Sequence, residues 1–363
     1  MKIGIITFHW AANYGAVLQT FALQHYLHDL GHKVEVIDYR PQWAKDVKKI
    51  PCPSTLGSAI SFVDELYKRH IFAKFIKRYI NLSSSTSTTP TDLPYIAAQF
   101  DLILTGSDQV FNPDIIAQNG EPDKVYLLDF SKVHTKKAAY AASFGNSFLA
   151  ARYHDYYQQL FQSFDKIGIR EKSGLEIVKK MNISDVFWTP DPTFLLKNYD
   201  FLLDKNRSHK KYIFKLLFQE TPQALKYLDR IIEIHRGLPI KQLSDFKSRI
   251  LGKNGSIHPS PQKWVELIRN AELIITDSFH CTVFCIIFHR PFIALALTGW
   301  GTDWSERIKS LLNRLGLFER FLDSNDPSKL DALINKQIDW DLVDNNLNEW
   351  RNEGVQFLKE LLA

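Results

Sequence analysis

Residues 2–39 read KIGIITFHWAANYGAVLQTFALQHYLHDLGHKVEVIDY. An isoleucine-rich run, KIGIITF, breaks off at HWAANYGA, where Asn13 and Gly15 signal a loop. In AVLQTFALQHYLHDLG the residues Val17, Leu18, Phe21, Ala22, Leu27 and Leu30 recur near a 3.6-residue period. Gly31 stands where a helix ends most easily. KVEVIDY is apolar again. Strand, helix and strand in immediate succession form a β-α-β unit, so its two strands are expected to run parallel with a right-handed crossover.

The alternation continues outward from there. DLILTGSDQV (101–110) and KKAAYAASFGN (136–146) read as strands ending in small polar residues. From about 165 a second series begins: KIGIREKSGLEIVKKM, DVFW, KYIFKLLF, a helix capped by Thr221, LPIKQLS, and a helix with Ser260 as N-cap and Pro261 behind it. LIIT, FHCTVFCIIF and PFIALAL follow, and the chain ends in helices at 307–316 and 341–363. LSSSTSTTPTDLP (82–94) is expected to be a surface loop. The pattern predicts an α/β protein of two Rossmann-like domains facing across a cleft, 1–160 and 165–340, with a C-terminal helix over 341–363.

Composition narrows the function. The chain has 363 residues, 45% hydrophobic, and a formal charge of +5. That suffices for two domains with real cores. Its Lys and Arg residues are dispersed, so no nucleic-acid partner is expected. A mild basic excess suits anionic substrates or a membrane surface. Three cysteines, Cys52, Cys281 and Cys285, form no disulfide framework and no CxxC motif, which points to a reducing cytoplasm. Cys281 and Cys285 read as small apolar helix residues. The N-terminus lacks the ordered regions of a signal peptide. No stretch reaches the roughly 20 apolar residues that span a bilayer. The basic, aromatic stretch YKRHIFAKFIKRY (67–79) fits either peripheral contact with an anionic membrane or a solvated helix.

In open α/β sheets ligands lie beyond the carboxyl ends of the strands. This sequence places there Asn13 and Gly15, then Ser107 and Asp108, then Ser143, Arg170, Asp277, Ser278 and His280. Asp277 or Ser278 is the expected N-cap of FHCTVFCIIF, which puts His280 in the first helical turn. The unpaired N–H groups there carry roughly half a positive charge. That field disfavours imidazolium and attracts phosphate or carboxylate, so a neutral base would stand beside an anion site. A histidine that only bonds a neighbouring loop fits the position equally. Arg170 ends an apolar strand. Its planar fork matches a carboxylate or phosphate, or the carboxylate of a neighbour such as the adjacent Glu171. No P-loop, GxGxxG or GxSxG appears, and His9 has no second metal ligand at helical spacing.

In order along the chain stand GIITFHWAANYGAVLQTFALQHYL, LILTGSDQVFNP, AYAASFG, GIREKSG, TPDPTFLL and LIITDSFHCTVFCIIFHRPFIAL. With these pieces the sequence resembles the polysaccharide pyruvyl transferases over most of its length. Many members carry Arg-Leu-His where Ser278-Phe279-His280 stand here. The resemblance implies a glycosyltransferase-B-like architecture. It implies transfer of the enolpyruvyl carbon of phosphoenolpyruvate to two hydroxyls of one sugar, giving a cyclic ketal. His280 would be the catalytic acid/base and Arg170 a donor ligand. Asn13, Gly15, Ser107, Asp108 and Ser143 would line the acceptor side, with Asp277 and Ser278 beside the donor. Phosphoenolpyruvate enters as donor substrate, and no cofactor or metal is expected. Arg307, Arg314 and Arg320 are read as phosphate contacts or as solvated or salt-bridged groups. The acceptor sugar is expected in surface-polysaccharide assembly, free, nucleotide-linked or carried on a polyprenyl diphosphate, the last of which would bring the chain to the inner face of the membrane. A nucleotide-sugar glycosyltransferase of the same fold is the alternative, and a sugar-binding module without activity is a third reading.

Overall fold

A computed structural model describes residues 1–47, 55–118, 120–129, 135–203, 210–252, 255–297, 304–323 and 327–363; Cys52 lies outside the described residues. The chain divides into two compact units. Unit 1 comprises Met1–Pro51, Phe72–Lys197 and Glu349–Ala363; unit 2 comprises Cys52–Ile71 and Asn198–Asn348.

Unit 1 is built on β1 (Lys2–Ile6), β2 (Lys33–Tyr39), β3 (Leu82–Ser87), β4 (Leu102–Asp108), a two-residue antiparallel pair β5 (Ala117–Gln118) and β6 (Glu121–Pro122), and then β7 (Lys136–Ala142), β8 (Lys166–Ile169) and β9 (Val186–Trp188). The main sheet has the order β3-β2-β1-β4-β7-β8-β9 and is parallel throughout. Near-continuous apolar strands such as IGII and LIL are what a sheet covered on both faces requires. The core gathers Ile6, Ile37, Ile103, Phe111, Phe144 and Phe161.

Two expectations change here. KIGI and VFW were expected to open the second domain, yet as β8 and β9 they extend the first sheet. The β/α alternation runs on through residue 165 with nothing in the composition to mark a break. The Ser/Thr-rich run, expected as a loop, is the edge strand β3. It pairs with β2 through Val36↔Leu82, Asp38↔Thr86 and Tyr39↔Ser87. The Thr86 hydroxyl donates to Asp38 at 2.6 Å, and the Asp38 N–H donates to Ser83 Oγ at 3.0 Å. A short polar strand is a common solution for a sheet edge. Burial pushes the Asp38 carboxyl up, but hydrogen bonds from His9, Arg40 and Thr86 outweigh it and hold the group below the usual carboxylate range.

The last part of the helix Trp340–Leu362 belongs to unit 1. Trp350 Nε1 donates to the Trp188 carbonyl at 3.0 Å, and Arg351 Nε to the Phe194 carbonyl at 2.6 Å. Gly354 allows the close approach. A Cβ there would stand 2.7 Å from Tyr140 Oη and 2.8 Å from Pro190 Cδ. Gly354→Ala is therefore expected to destabilise the chain by about 1–3 kcal/mol, read as a lower urea midpoint. An unchanged midpoint would show that the helix can shift outward without loss.

Unit 2 carries β10 (Ile213–Leu216), β11 (Ile240–Ser244), β12 (Ser256–Ile257), β13 (Leu273–Thr276), β14 (Phe292–Leu295) and β15 (Phe321–Leu322). Their order is β12-β11-β10-β13-β14-β15, again all parallel. Its core includes Ile213, Leu228, Ile231, Ile275 and Ile293. The expected caps form: Thr221 accepts from Ala224 N–H and Ser260 from Lys263 N–H. In both sheets the strand order reverses beside the first strand of the unit, between β1 and β4 and between β10 and β13. Such a switch point opens a crevice at the carboxyl ends, the usual place for a ligand.

Candidate active site

Each unit gathers polar residues at its own switch point. In unit 1, Asn13 caps the helix Tyr14–Asp29 by accepting from Ala16 N–H, which puts Gly15 in the buried first turn. Ser107 and Asp108 end β4, and Ser143 follows β7. Asp108 adopts a left-handed backbone (φ 72°) and its carbonyl accepts from Ser143 N–H at 2.9 Å. Ser143 Oγ in turn accepts from Gly145 N–H at 3.0 Å. Gly145 is itself left-handed (φ 72°), and a Cβ there would fall 1.9 Å from Gln109 Oε1. The SFG turn therefore needs its glycine.

Arg170 is 2% exposed and enters a buried network. Its Nη1 donates to Asp191 Oδ2 at 2.9 Å and to Ser107 Oγ at 3.3 Å, while Nη2 lies 3.5 Å from Asp108 Oδ1. Ser107 Oγ donates to the same Asp191 oxygen at 3.0 Å. Asp191 Oδ1 accepts from the Thr193 N–H and hydroxyl at 3.0 and 2.7 Å. Asp191, in TPDPTFLL, is thus the centre of the unit 1 cluster, and sequence reading did not single it out. Glu171, weighed as the neighbour of Arg170, turns away. Its Oε1 accepts from Phe144 N–H at 2.7 Å and from Gly145 N–H at 3.3 Å. His9, in the turn after β1, holds Asp38 through Nε2 at 2.9 Å.

In unit 2, Ser278 is the N-cap of the helix Phe279–Ile287. It has extended backbone, and its Oγ accepts from Cys281 N–H at 3.4 Å. His280 stands in the first turn and is 7% exposed. The Phe279 ring meets the imidazole edge-on at 5.1 Å between centroids. On Phe279 also lies the Arg307 guanidinium, 5.7 Å from the ring centre. Ser278→Ala removes a capping oxygen and is expected to lower stability by about 1 kcal/mol, read in a urea titration. No change would mean that solvent replaces the cap.

Asp277 accepts from Phe218 N–H at 2.8 and 2.9 Å and from Gln219 N–H at 2.9 Å. Burial pushes its carboxyl above the usual range against these bonds. It ties the loop after β10 to the strand that delivers His280. That loop walls a cleft of about 360 Å³ over the ends of β10 and β11. Lys215, Glu220, Gln242, Ser244 and Ser248 supply its polar groups. Lys215 pairs with Glu220 at 2.5 Å.

Of the residues expected at the site, Ser107, Asp108, Ser143 and Arg170 come together at neighbouring strand ends of unit 1. Asn13 and Gly15 open the first helix of the same unit. Asp277, Ser278 and His280 are consecutive features of unit 2. Arg320, read as a phosphate contact or a surface group, is buried instead. Its guanidinium donates to the carbonyls of Leu333 (2.9 Å) and Lys336. Cys281 and Cys285 are buried free thiols, and burial pushes the Cys285 thiol up. Among the described residues no helix is long and apolar enough to cross a membrane.

Comparison with known proteins agrees with this architecture. The family model for polysaccharide pyruvyl transferase matches residues 13–298. No curated protein sequence matches. Several solved structures share the fold. MnaA from S. aureus with UDP has 12% identity and a TM-score of 0.53, over 97% of this chain and 91% of that one. The UDP-GlcNAc 2-epimerase of Methanocaldococcus jannaschii, in complex with UDP-GlcNAc and UDP, has 14% identity and a TM-score of 0.51 over 93% and 94%. A glycosyltransferase from Rickettsia africae has 12% identity and a TM-score of 0.51 over 99% and 96%. The fold is thus α/β and glycosyltransferase-B-like, with two Rossmann-like units.

Proposed function

The chain belongs to the polysaccharide pyruvyl transferase family, and from that premise we propose that it moves the enolpyruvyl group of phosphoenolpyruvate onto two hydroxyls of one sugar. The product is a cyclic pyruvate ketal, and inorganic phosphate leaves. The observation that carries this reading is His280 in the first turn of the helix Phe279–Ile287.

The chemistry asks for one carbon protonation and two hydroxyl deprotonations. Proton transfer to C3 of the donor leaves C2 oxocarbenium-like. One sugar hydroxyl adds to C2 and gives up its proton. Phosphate then departs, and the second hydroxyl closes the ring and loses its own proton. An imidazole that passes a proton to C3 as it takes one from the attacking hydroxyl, and takes the second hydroxyl's proton as phosphate leaves, can serve these steps in turn. The positive end of the helix favours the donor's anionic groups beside it. Arg307, held against Phe279, supplies a guanidinium next to the same turn. Lys215, Gln242, Ser244 and Ser248 add hydrogen-bond donors along the cleft. In unit 1, Arg170 contributes a second guanidinium within the Asp191 network. Ser107, Asp108, Ser143 and Asn13 make up the acceptor side of the reading. The acceptor is a polysaccharide building block, carried on a polyprenyl diphosphate in the cytoplasm.

Phosphate release is the direct test. Phosphoenolpyruvate with a panel of hexose acceptors should yield phosphate and a ketal only when both substrates are present. Arg307→Ala should raise the KM for phosphoenolpyruvate by about 10- to 100-fold with the fold intact, as expected for one lost charge-assisted contact. An unchanged KM would leave Arg307 a packing partner of Phe279. The UDP in two fold neighbours favours a second reading, a nucleotide-sugar glycosyltransferase. Consumption of a UDP-sugar, with no phosphate released from phosphoenolpyruvate, would select it.

A further inference from the structure

The helix Leu56–Tyr79 carries a chemical gradient along one side. At 3.6 residues per turn, positions 63, 66, 67, 70, 74, 77 and 78 fall within a stripe about 120° wide. Every one of them is exposed, whereas Phe72 and Phe75 on the other side are buried. The first part of the stripe is apolar: Val63 is 55% exposed, Leu66 47% and Tyr67 42%. The second part is basic: His70, Lys74, Lys77 and Arg78. From Tyr67 to Tyr79 the sequence has no acidic residue.

The short helix Phe246–Ile250 extends the apolar part. The Tyr67 ring lies 5.3 Å from that of Phe246, and Asp64 accepts from Phe246 N–H at 2.9 Å. Phe246 opens the short helix Phe246–Ile250, so Ile250 shares its face one turn on. Ile250 and Leu251 are among the most exposed large apolar side chains, at 68% and 69%, with Lys247 and Arg249 exposed beside them. The nearby acids are engaged: Asp64 also with His258 at 2.8 Å, Glu65 with Arg69 at 2.7 Å, and Asp245 with Ser248 N–H.

We infer that this stripe is a docking surface for an anionic lipid bilayer. Isolated exposed leucines need no explanation, but five large apolar groups joined to an acid-free basic track do. A bilayer interface accepts both halves at once. The apolar side chains enter the acyl boundary while the ammonium and guanidinium groups stay among the phosphates. A second copy of the same chain would have to face this positive track with its own. The inference goes beyond the transferase reading and needs no substrate.

The test is co-sedimentation of the full chain with vesicles of phosphatidylcholine, with and without phosphatidylglycerol, at low and high salt. Binding should require phosphatidylglycerol and weaken with salt. Lys74→Glu/Lys77→Glu/Arg78→Glu should weaken it by about 100-fold or more, since each basic residue near such a surface contributes about a factor of five. Val63→Ser/Leu66→Ser/Tyr67→Ser should weaken it without removing the dependence on phosphatidylglycerol. Circular dichroism melting checks that both variants fold. Absence of vesicle binding by the parent chain overturns the inference, as does equal binding by folded variants. So does a parent dimer that the stripe substitutions convert to monomer.

Discussion

His280→Gln, and more completely His280→Ala, are expected to lower ketal formation by about 10²–10⁴-fold, the range for removing a positioned acid/base. The glutamine keeps much of the ring's volume against Phe279 and can hydrogen-bond, but it cannot accept and return a proton at neutral pH. Its melting temperature should stay near that of the parent chain. The KM for phosphoenolpyruvate should change little, because the helix N-terminus and Arg307 remain in place. A loss in kcat with the fold and KM retained is the signature of a proton carrier. Near-parental turnover in folded His280→Gln would remove the histidine from the mechanism and leave it as a packing residue of the helix start.

The second large effect is thermodynamic. Asp191 is fully buried and accepts from Arg170, Ser107 and Thr193. Arg170→Ala takes the cation from that carboxylate and is expected to lower the unfolding free energy by about 3–5 kcal/mol, because Asp191 is left buried without its counter-charge. Asp191→Ala is expected to cost less, because the guanidinium keeps Asp108 Oδ1 at 3.5 Å. The double variant Arg170→Met/Asp191→Leu should recover much of the loss, and a urea double-mutant cycle measures the coupling. If each single change costs under about 1 kcal/mol, the network is not the support it looks like. The same variants report on function. A folded Arg170→Met whose KM for phosphoenolpyruvate is unchanged would confine Arg170 to holding β4 and β8 together. A raised KM would make it a donor ligand as well.

Much of the architecture can be read directly from the chain, and the reasons are local. KIGII, LILTGSD, KIGI and LIIT are short apolar runs closed by polar or charged residues, and each is an interior parallel strand of its sheet. Thr221, Ser260 and Ser278 announce helix starts by their own side chains. What could not be read depends on tertiary partners. β3 looks like a loop because serine and threonine favour turns; it becomes a strand because β2 offers an open edge and Asp38 accepts the Thr86 hydroxyl and donates its N–H to Ser83 Oγ. Asp191 looks like a turn residue between two prolines. Its importance appears only when β4 and β8 bring Ser107 and Arg170 to it. A carboxylate in an otherwise apolar and proline-rich strand exit was the available signal. Arg307 reaches Phe279 from a helix that follows β14, a contact that no local pattern encodes. The division between the units stayed hidden because alternation of strand and helix is the same on either side of it.

The return of Glu349–Ala363 to unit 1 has a consequence for biogenesis. During synthesis the seven strands of that unit's main sheet leave the ribosome long before Trp350 and Arg351, the residues that bond the carbonyls of Trp188 and Phe194. Until then the exit of β9 has no cover, and the nascent chain carries an unfinished apolar surface through the translation of Asn198–Asn348. A polypeptide that stops short of Glu349 would leave that surface open to chaperones and proteases, so the helix is what closes unit 1.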